Sequence, residues 1–214
     1  MDILKAIKRT ILVILVLFLV TRISAQSGSG NITDLQSAFK ESYAFEANGL
    51  YGSAIDVLVK VYDAGSYEIN LRLGWLQYLN KQYQESVDYY NKAINLMPYS
   101  VEAKLGLANP LAVLEDWTKL EELYKSILTI DPNNSQVNYR LGTIYYYRPD
   151  YPSAFKHFEK VVNMYPFDFS SVNMLAWTNF QLGKTREAEI LFNKSLLISP
   201  DHPSSLAGLK ALKK

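Results

Sequence analysis

Apolar and polar positions from about Leu71 onward follow a helical rhythm, and the rhythm itself recurs. The stretches Ala93–Met97, Ile127–Asp131, Val161–Tyr165 and Ser195–Ser199 each end on a proline. These prolines, Pro98, Pro132, Pro166 and Pro200, stand 34 residues apart. Each stretch reads as the last turns of a helix stopped by a residue that cannot continue it. Eight residues before each proline is an aromatic, Tyr90, Tyr124, Phe158 or Phe192. Four residues further back, Ser86, Ala154 and Ala188 are small. A small residue followed four later by a ring places both on one helical face, where the first permits close approach and the second fills the space beside it.

A second helix precedes each of these. Leu73-Gly74, Leu141-Gly142 and Leu175-Ala176 lie twelve residues ahead of Ser86, Ala154 and Ala188. Turns fall between them at residues 80–83, 148–151 and 182–185. Each unit is therefore an αα-hairpin, and a lone hairpin cannot bury both apolar faces, so neighbours must stack. The spacing predicts an all-α fold, an α-solenoid of about five helix–turn–helix repeats.

The combination of Leu-Gly, an aromatic, Ala, a second aromatic and Pro resembles the tetratricopeptide repeat. The clearest copy is Asn138-Tyr139-Arg140-Leu141-Gly142, Tyr145, Tyr151, Ala154, Phe158 and Pro166; the next is Leu73-Gly74, Tyr83, Ser86, Tyr90, Ala93 and Pro98. The resemblance covers roughly residues 35 to 200. Asn70, Asn138 and Val172 replace the Trp typical of the first helix, which marks the repeats as divergent. The expected units are 35–66, 67–100, 101–134, 135–168 and 169–202, within a solenoid over 34–202.

Two units are irregular. In the first, Tyr51, Ala54 and Leu58 match the second helix, but Ser66 stands where proline is expected and the step to Pro98 is 32. In the third, Leu105-Gly106 competes with Leu107-Ala108 for the signature pair. The latter keeps the twelve-residue spacing to Leu120 and makes Ala103, Leu107, Leu111 and Leu114 one apolar stripe. That register leaves Pro110 inside a helix, a tolerated bend in a degenerate repeat or, alternatively, a hinge.

The N-terminus has a different character. Lys5, Lys8 and Arg9 precede ten apolar residues, 11–20, and Ile23-Ser24-Ala25 supplies a small residue for cleavage, the layout of a secretory signal peptide over 1–25. Residues 26–33 read as a flexible leader. The expected location is periplasmic or extracellular; an uncleaved segment anchoring the chain to a membrane is the alternative. The expected signal takes four cations and one anion from the 22 and 21 of the whole chain, turning its net charge from +1 to −2. That balance argues against nucleic acid as a partner. Absence of Cys removes disulfides, thiol catalysis and thiolate metal sites.

Candidate chemistry is sparse. His157 falls on a second helix and His202 follows a helix-ending proline, with no ligand partner at i+4. No phosphate loop or nucleophile elbow is visible. Glu115, Asp116, Glu121 and Glu122 read as a solvated helix start. The expectation is no catalytic residue, no metal site and no cofactor.

The family resemblance implies that first helices line a concave wall. The residues it would place there are Phe39, Tyr43, Leu71, Trp75 and Tyr78, then Tyr139, Thr143, Tyr146 and Tyr147, then Asn173, Trp177 and Phe180, with Arg72 and Arg140 beside Leu71 and Tyr139. Rings with polar edges suit a protein or peptide partner. A glycan or cell-wall polymer, or docking within an envelope or membrane assembly, is the alternative. The positions matching a chaperone-tail clamp, Phe39, Leu71, Leu105, Tyr139 and Asn173, are mostly apolar, which argues against that subclass. Residues 203–214, with Leu206, Leu209 and Leu212, read as a capping helix that shields the last apolar face.

Overall fold

The computed structural model describes residues 32–213, so the expected signal segment and most of the leader lie outside the described residues. The described residues are helical throughout, with no strand. By its contacts the chain divides into two compact units at Pro98 and Tyr99.

The first unit holds α1 (residues 32–47), α2 (Tyr51–Val59), α3 (Tyr67–Leu79) and α4 (Tyr83–Leu96). Its core gathers Ala38, Ala54, Ile55, Leu58, Ile69, Leu73 and Leu76, all buried, with Phe39, Phe45, Tyr62 and Tyr89 packed around them. Gly74 lies against the ring of Tyr90, and a Cβ there would come within 2.9 Å of it. The Ser86 hydroxyl donates to the Gly74 carbonyl at 2.6 Å, so the small residue of α4 is also a polar tie to α3.

The second unit holds α5 (Val101–Val113), α6 (Trp117–Ile130), α7 (Ser135–Tyr147), α8 (Tyr151–Met164), α9 (Phe169–Gln181), α10 (Thr185–Ile198) and α11 (Pro203–Ala211). One cluster joins Ala154, Phe158, Val162, Val172 and Leu175, and another joins Ala176, Ala188 and Phe192. Gly142 repeats the arrangement of Gly74, with a built Cβ 2.8 Å from Phe158.

The helix ends obey the same 34-residue period. The first helices α3, α5, α7, α9 and α11 are capped by Ser66, Ser100, Asn134, Asp168 and His202, whose side chains accept from backbone N–H groups in the first turn. Ser66 is thus no degraded proline. It is a cap in perfect phase with Ser100, and the position matching Pro98 is Ala64. The two missing residues fall between α2, nine residues long, and that cap, where the other second helices run for 14.

Asn70 and Asn138 are fully or nearly buried, and their role was not legible as divergence from Trp. Asn70 Nδ2 donates to the carbonyls of Ala64 and Ser66 at 3.1 and 2.7 Å. Asn138 does the same to Pro132 and Asn134 at 3.2 and 2.8 Å. Each amide fastens the loop that delivers the chain into the next helix.

In the third repeat, Ala103, Leu107, Ala108 and Leu111 are buried, as the Leu107-Ala108 register requires. Leu114 departs from the expected stripe: it is the C-cap of α5 and 44% exposed. Helix α5 continues through Pro110, which is buried and cannot donate to the Gly106 carbonyl. The turns inside the hairpins place Gly49, Lys81, Glu115, Pro149 and Gly183 at positive φ. Gly49 and Gly183 adopt it freely, whereas the other three are strained there.

Helix α11 packs on both α9 and α10. Gly208 lies so close to Phe192 that a Cβ would come within 2.2 Å of its ring. Gly208→Ala is therefore expected to displace α11 and destabilise the chain by roughly 1–3 kcal/mol. Gly52→Ala, in α2 with nothing within 4 Å of a built Cβ, is expected to gain up to about 1 kcal/mol. Urea unfolding of both variants checks the contrast.

Candidate functional site

The first helices present their aromatic residues in three settings. In the first unit, Phe39 and Tyr43 lie 6.4 Å apart and Trp75 and Tyr78 5.7 Å apart. Trp75 Nε1 donates to Glu46 Oε1 at 2.7 Å, tying α3 to α1. Glu46 also pairs with Arg72, whose side chain is only 7% exposed. The Arg72 guanidinium covers the Tyr43 ring at 3.9 Å, and its Nε donates to Ser42 Oγ at 3.2 Å. Arg72, set beside the wall by sequence, is a buried cation held by three side chains of α1. Leu71 beside it is half-buried.

In the second unit, Tyr139 packs edge-on against Phe158 at 5.7 Å and belongs largely to the core. Tyr146 touches both Tyr147 and Tyr151 in edge contacts at 5.5 and 5.7 Å. Thr143 donates to the Tyr139 carbonyl at 2.9 Å. Tyr147 is 76% exposed and Tyr43 is 56% exposed, the two most open rings among the expected wall residues.

The third setting is a correction. Asn173 is buried: its Nδ2 donates to Ser205 Oγ at 3.0 Å, and Ser204 Oγ donates to its Oδ1 at 2.8 Å. Trp177 Nε1 donates to Ser204 Oγ at 2.9 Å, and the indole lies on Phe192 and Phe180. Helix α11 therefore covers Asn173 and takes the indole N–H of Trp177, leaving both as anchors for the end of the chain. A Ser-Ser pair right after a helix-starting His202-Pro203 is the sequence signal that the reading passed over.

Two pockets open beside these helices, both in the second unit. The larger, about 510 Å³, is lined by Ala112, Trp117, Leu120, Tyr124, Arg140, Thr143, Ile144, Tyr147 and Arg148. The smaller, about 480 Å³, shares Arg140 and adds Tyr139, Tyr165 and Asp168 among others. Trp117, 46% exposed, escaped the sequence reading because it opens a second helix.

The acidic residues near Trp117 divide. Asp116 caps α6, as a helix start requires. Glu121 does more: it pairs with Lys125 at 2.7 Å and with Arg148, and accepts from Tyr145 at 3.0 Å. The hydrogen bond from Lys125, aided by those from Tyr145 and Arg148, holds the Glu121 carboxyl below its usual range against the cost of burial. Among the described residues no three His, Cys, Asp or Glu stand together as metal ligands. No helix among them is long and apolar enough to cross a membrane.

Comparison with known proteins agrees with this geometry. Residues 39–100 and 169–202 match two family models, each described as tetratricopeptide repeat. Those two stretches are tetratricopeptide repeats. The chain's fold is similar to that of a tetratricopeptide repeat protein from Parabacteroides merdae, with a TM-score of 0.73 at 20% identity, over 84% of this chain and 72% of that one. It is also similar to YrrB, a TPR protein with an unusual peptide-binding site, with a TM-score of 0.70 at 16% identity over 87% and 97%. The DnaJ protein P58IPK homolog B of Oryza sativa subsp. japonica is 28% identical over 141 residues, 60% of this chain. The match spans only 30% of that relative's length.

His157 sits at 5.5 Å in a stacked contact with Tyr145, its Nδ1 3.0 Å from Asn138 Oδ1. Because the Asn138 amide nitrogen is already donating, Oδ1 accepts, and His157 Nδ1 must carry a hydrogen. Burial, then Lys160, Lys125 and Lys156, push the imidazole below its ordinary value. The unfolded imidazole then takes up a proton first. Stability from this site is complete above about pH 6.5 and is lost as pH falls below it, toward the folded value. Melting temperature between about pH 7 and 5.5 is expected to drop more steeply for the parent than for His157→Gln.

Proposed function

We propose that this chain is a non-catalytic, exported scaffold that binds a protein or peptide partner through aromatic surfaces on its first helices. One observation carries the reading: the rings of Tyr43 and Tyr147 stay open to solvent on helices that bury Ala38 and Ser42, and Val137, Asn138, Leu141 and Gly142, elsewhere. A ring left exposed forgoes the stabilisation of burial, and binding a partner recovers it. The likeness to a solved tetratricopeptide protein with a peptide-binding site supports the reading, as does the second unit's larger pocket. Export rests on the N-terminal pattern of cations, ten apolar residues and Ser24-Ala25.

The test is a parallel screen of the full chain on a peptide array and a glycan array. Peptide hits weakened roughly tenfold by Tyr147→Ser, without a loss of melting temperature, support the proposal. Glycan hits with no peptide hits overturn it in favour of a polymer-binding module. Mass spectrometry of the mature N-terminus checks export, with Gln26 as the expected first residue.

A further inference from the structure

Arg72 and Arg140 stand 68 residues apart, two full repeats, and occupy one position of the first helix. Arg72 is held by Ser42, Tyr43 and Glu46 of α1, although its Nη2 has no hydrogen-bond partner. Allowing for the two residues missing before Ser66, the corresponding places ahead of Arg140 are Ala108, Asn109 and Ala112. The register is sound: Ser42 and Ala108 are both buried, twelve residues before the buried Ala54 and Leu120. No acid is supplied. Among the described residues no carboxylate lies within ion-pair distance of Arg140. Asp168, which shares the smaller pocket with it, is engaged by the Ser171 N–H at 2.8 Å.

What stands in place of the missing acid is space. Ala112 and Arg140 line the same 510 Å³ pocket, with Trp117 and Tyr147. The other arginine of that pocket, Arg148, is paired with Glu121, which it shares with Lys125. The pocket therefore has mostly apolar walls and one guanidinium, that of Arg140, with no carboxylate partner, at the point where the sister repeat holds a glutamate. The geometry points to a binding site for an acidic peptide side chain with an apolar neighbour. The carboxylate pairs with Arg140 as Glu46 pairs with Arg72, and the neighbour packs on Trp117 and Tyr147. This rests on the peptide-binding reading and names its ligand chemistry. A planar guanidinium takes a carboxylate bidentately, in a charge-assisted pair stronger than a neutral hydrogen bond.

Two experiments on the full chain decide it. The first uses an array of acetylated, amidated hexapeptides with Glu-Leu or Glu-Phe cores, matched to Gln-Leu and Gln-Phe, and peptides without Glu that end in a free carboxylate. The expected result is a preference for Glu over Gln of roughly tenfold or more, abolished by Arg140→Gln. A preference that survives Arg140→Gln overturns the site, and so does selection of the free terminus alone. The second needs no peptide. Ala112→Glu restores in cis the acid that Glu46 supplies elsewhere. It is expected to raise the melting temperature by roughly 2–4 °C relative to the same change made in the R140Q background. It should also weaken binding of the Glu peptides. An equal shift in both backgrounds shows that no carboxylate is accepted there and overturns the inference, whatever the arrays show. Coupling between Ala112→Glu and Arg140→Gln with an array that gives no hits at all sinks the peptide reading and leaves the carboxylate site standing.

Discussion

In the repeats formed by α3–α4 and α7–α8, a ring on the second helix lies against a glycine of the first. Everything else in the chain depends on that contact. Gly74 under Tyr90 and Gly142 under Phe158 let the paired helices approach to where a single methyl would collide. The ring then fills the gap that so short a separation leaves, and burying it contributes about 2 kcal/mol or more per repeat. Close approach also fixes rotation about the helix axes. It settles which positions of the first helix turn toward neighbours and which are left to solvent. The same contact closes the chain at its end, where Gly208 of α11 meets Phe192 from the other side.

Identical repeat positions need not carry identical duties. Asn70 and Asn138 sit deep in their units and hold the incoming loop, while Val172 at the corresponding place is simply packed. Trp75 and Trp177 occupy one position too, yet Trp75 reaches back to Glu46 and Trp177 reaches forward to Ser204. The arginines show the same divergence with larger consequence. A guanidinium buried without a counter-charge is costly, so Arg72 is kept under Tyr43 and against Glu46. Arg140 avoids that cost by remaining exposed, and its freedom is what gives the larger pocket its chemistry.

How much of this was legible in the sequence follows from what a periodic pattern can encode. Proline spacing and the small-plus-ring pairs mark helix ends and buried faces, so the hairpins and the all-α fold were readable. The wall residues were only partly so, since exposure depends on what the neighbouring helix brings. Tyr139 looks like Tyr147 in composition, but one packs on Phe158 and the other stands in solvent. Asn173 was misplaced because the helix that covers it comes 30 residues later, and its clearest share of the repeat pattern is the cap at His202. Ser66 was misread for a subtler reason: counting twelve residues forward from Ala54 placed the deletion after the cap, and only the backbone shows that it precedes it.

The most direct measurement is a double-mutant cycle between Gly142→Ala and Phe158→Leu, followed by urea unfolding. If the ring occupies the space that the missing methyl leaves, Leu makes room for Ala. The double variant should then lie at least about 1 kcal/mol above the sum of the two separate losses. Losses that add within about 0.5 kcal/mol would show that the two residues do not share one volume, and the stacking of the hairpins would need another cause.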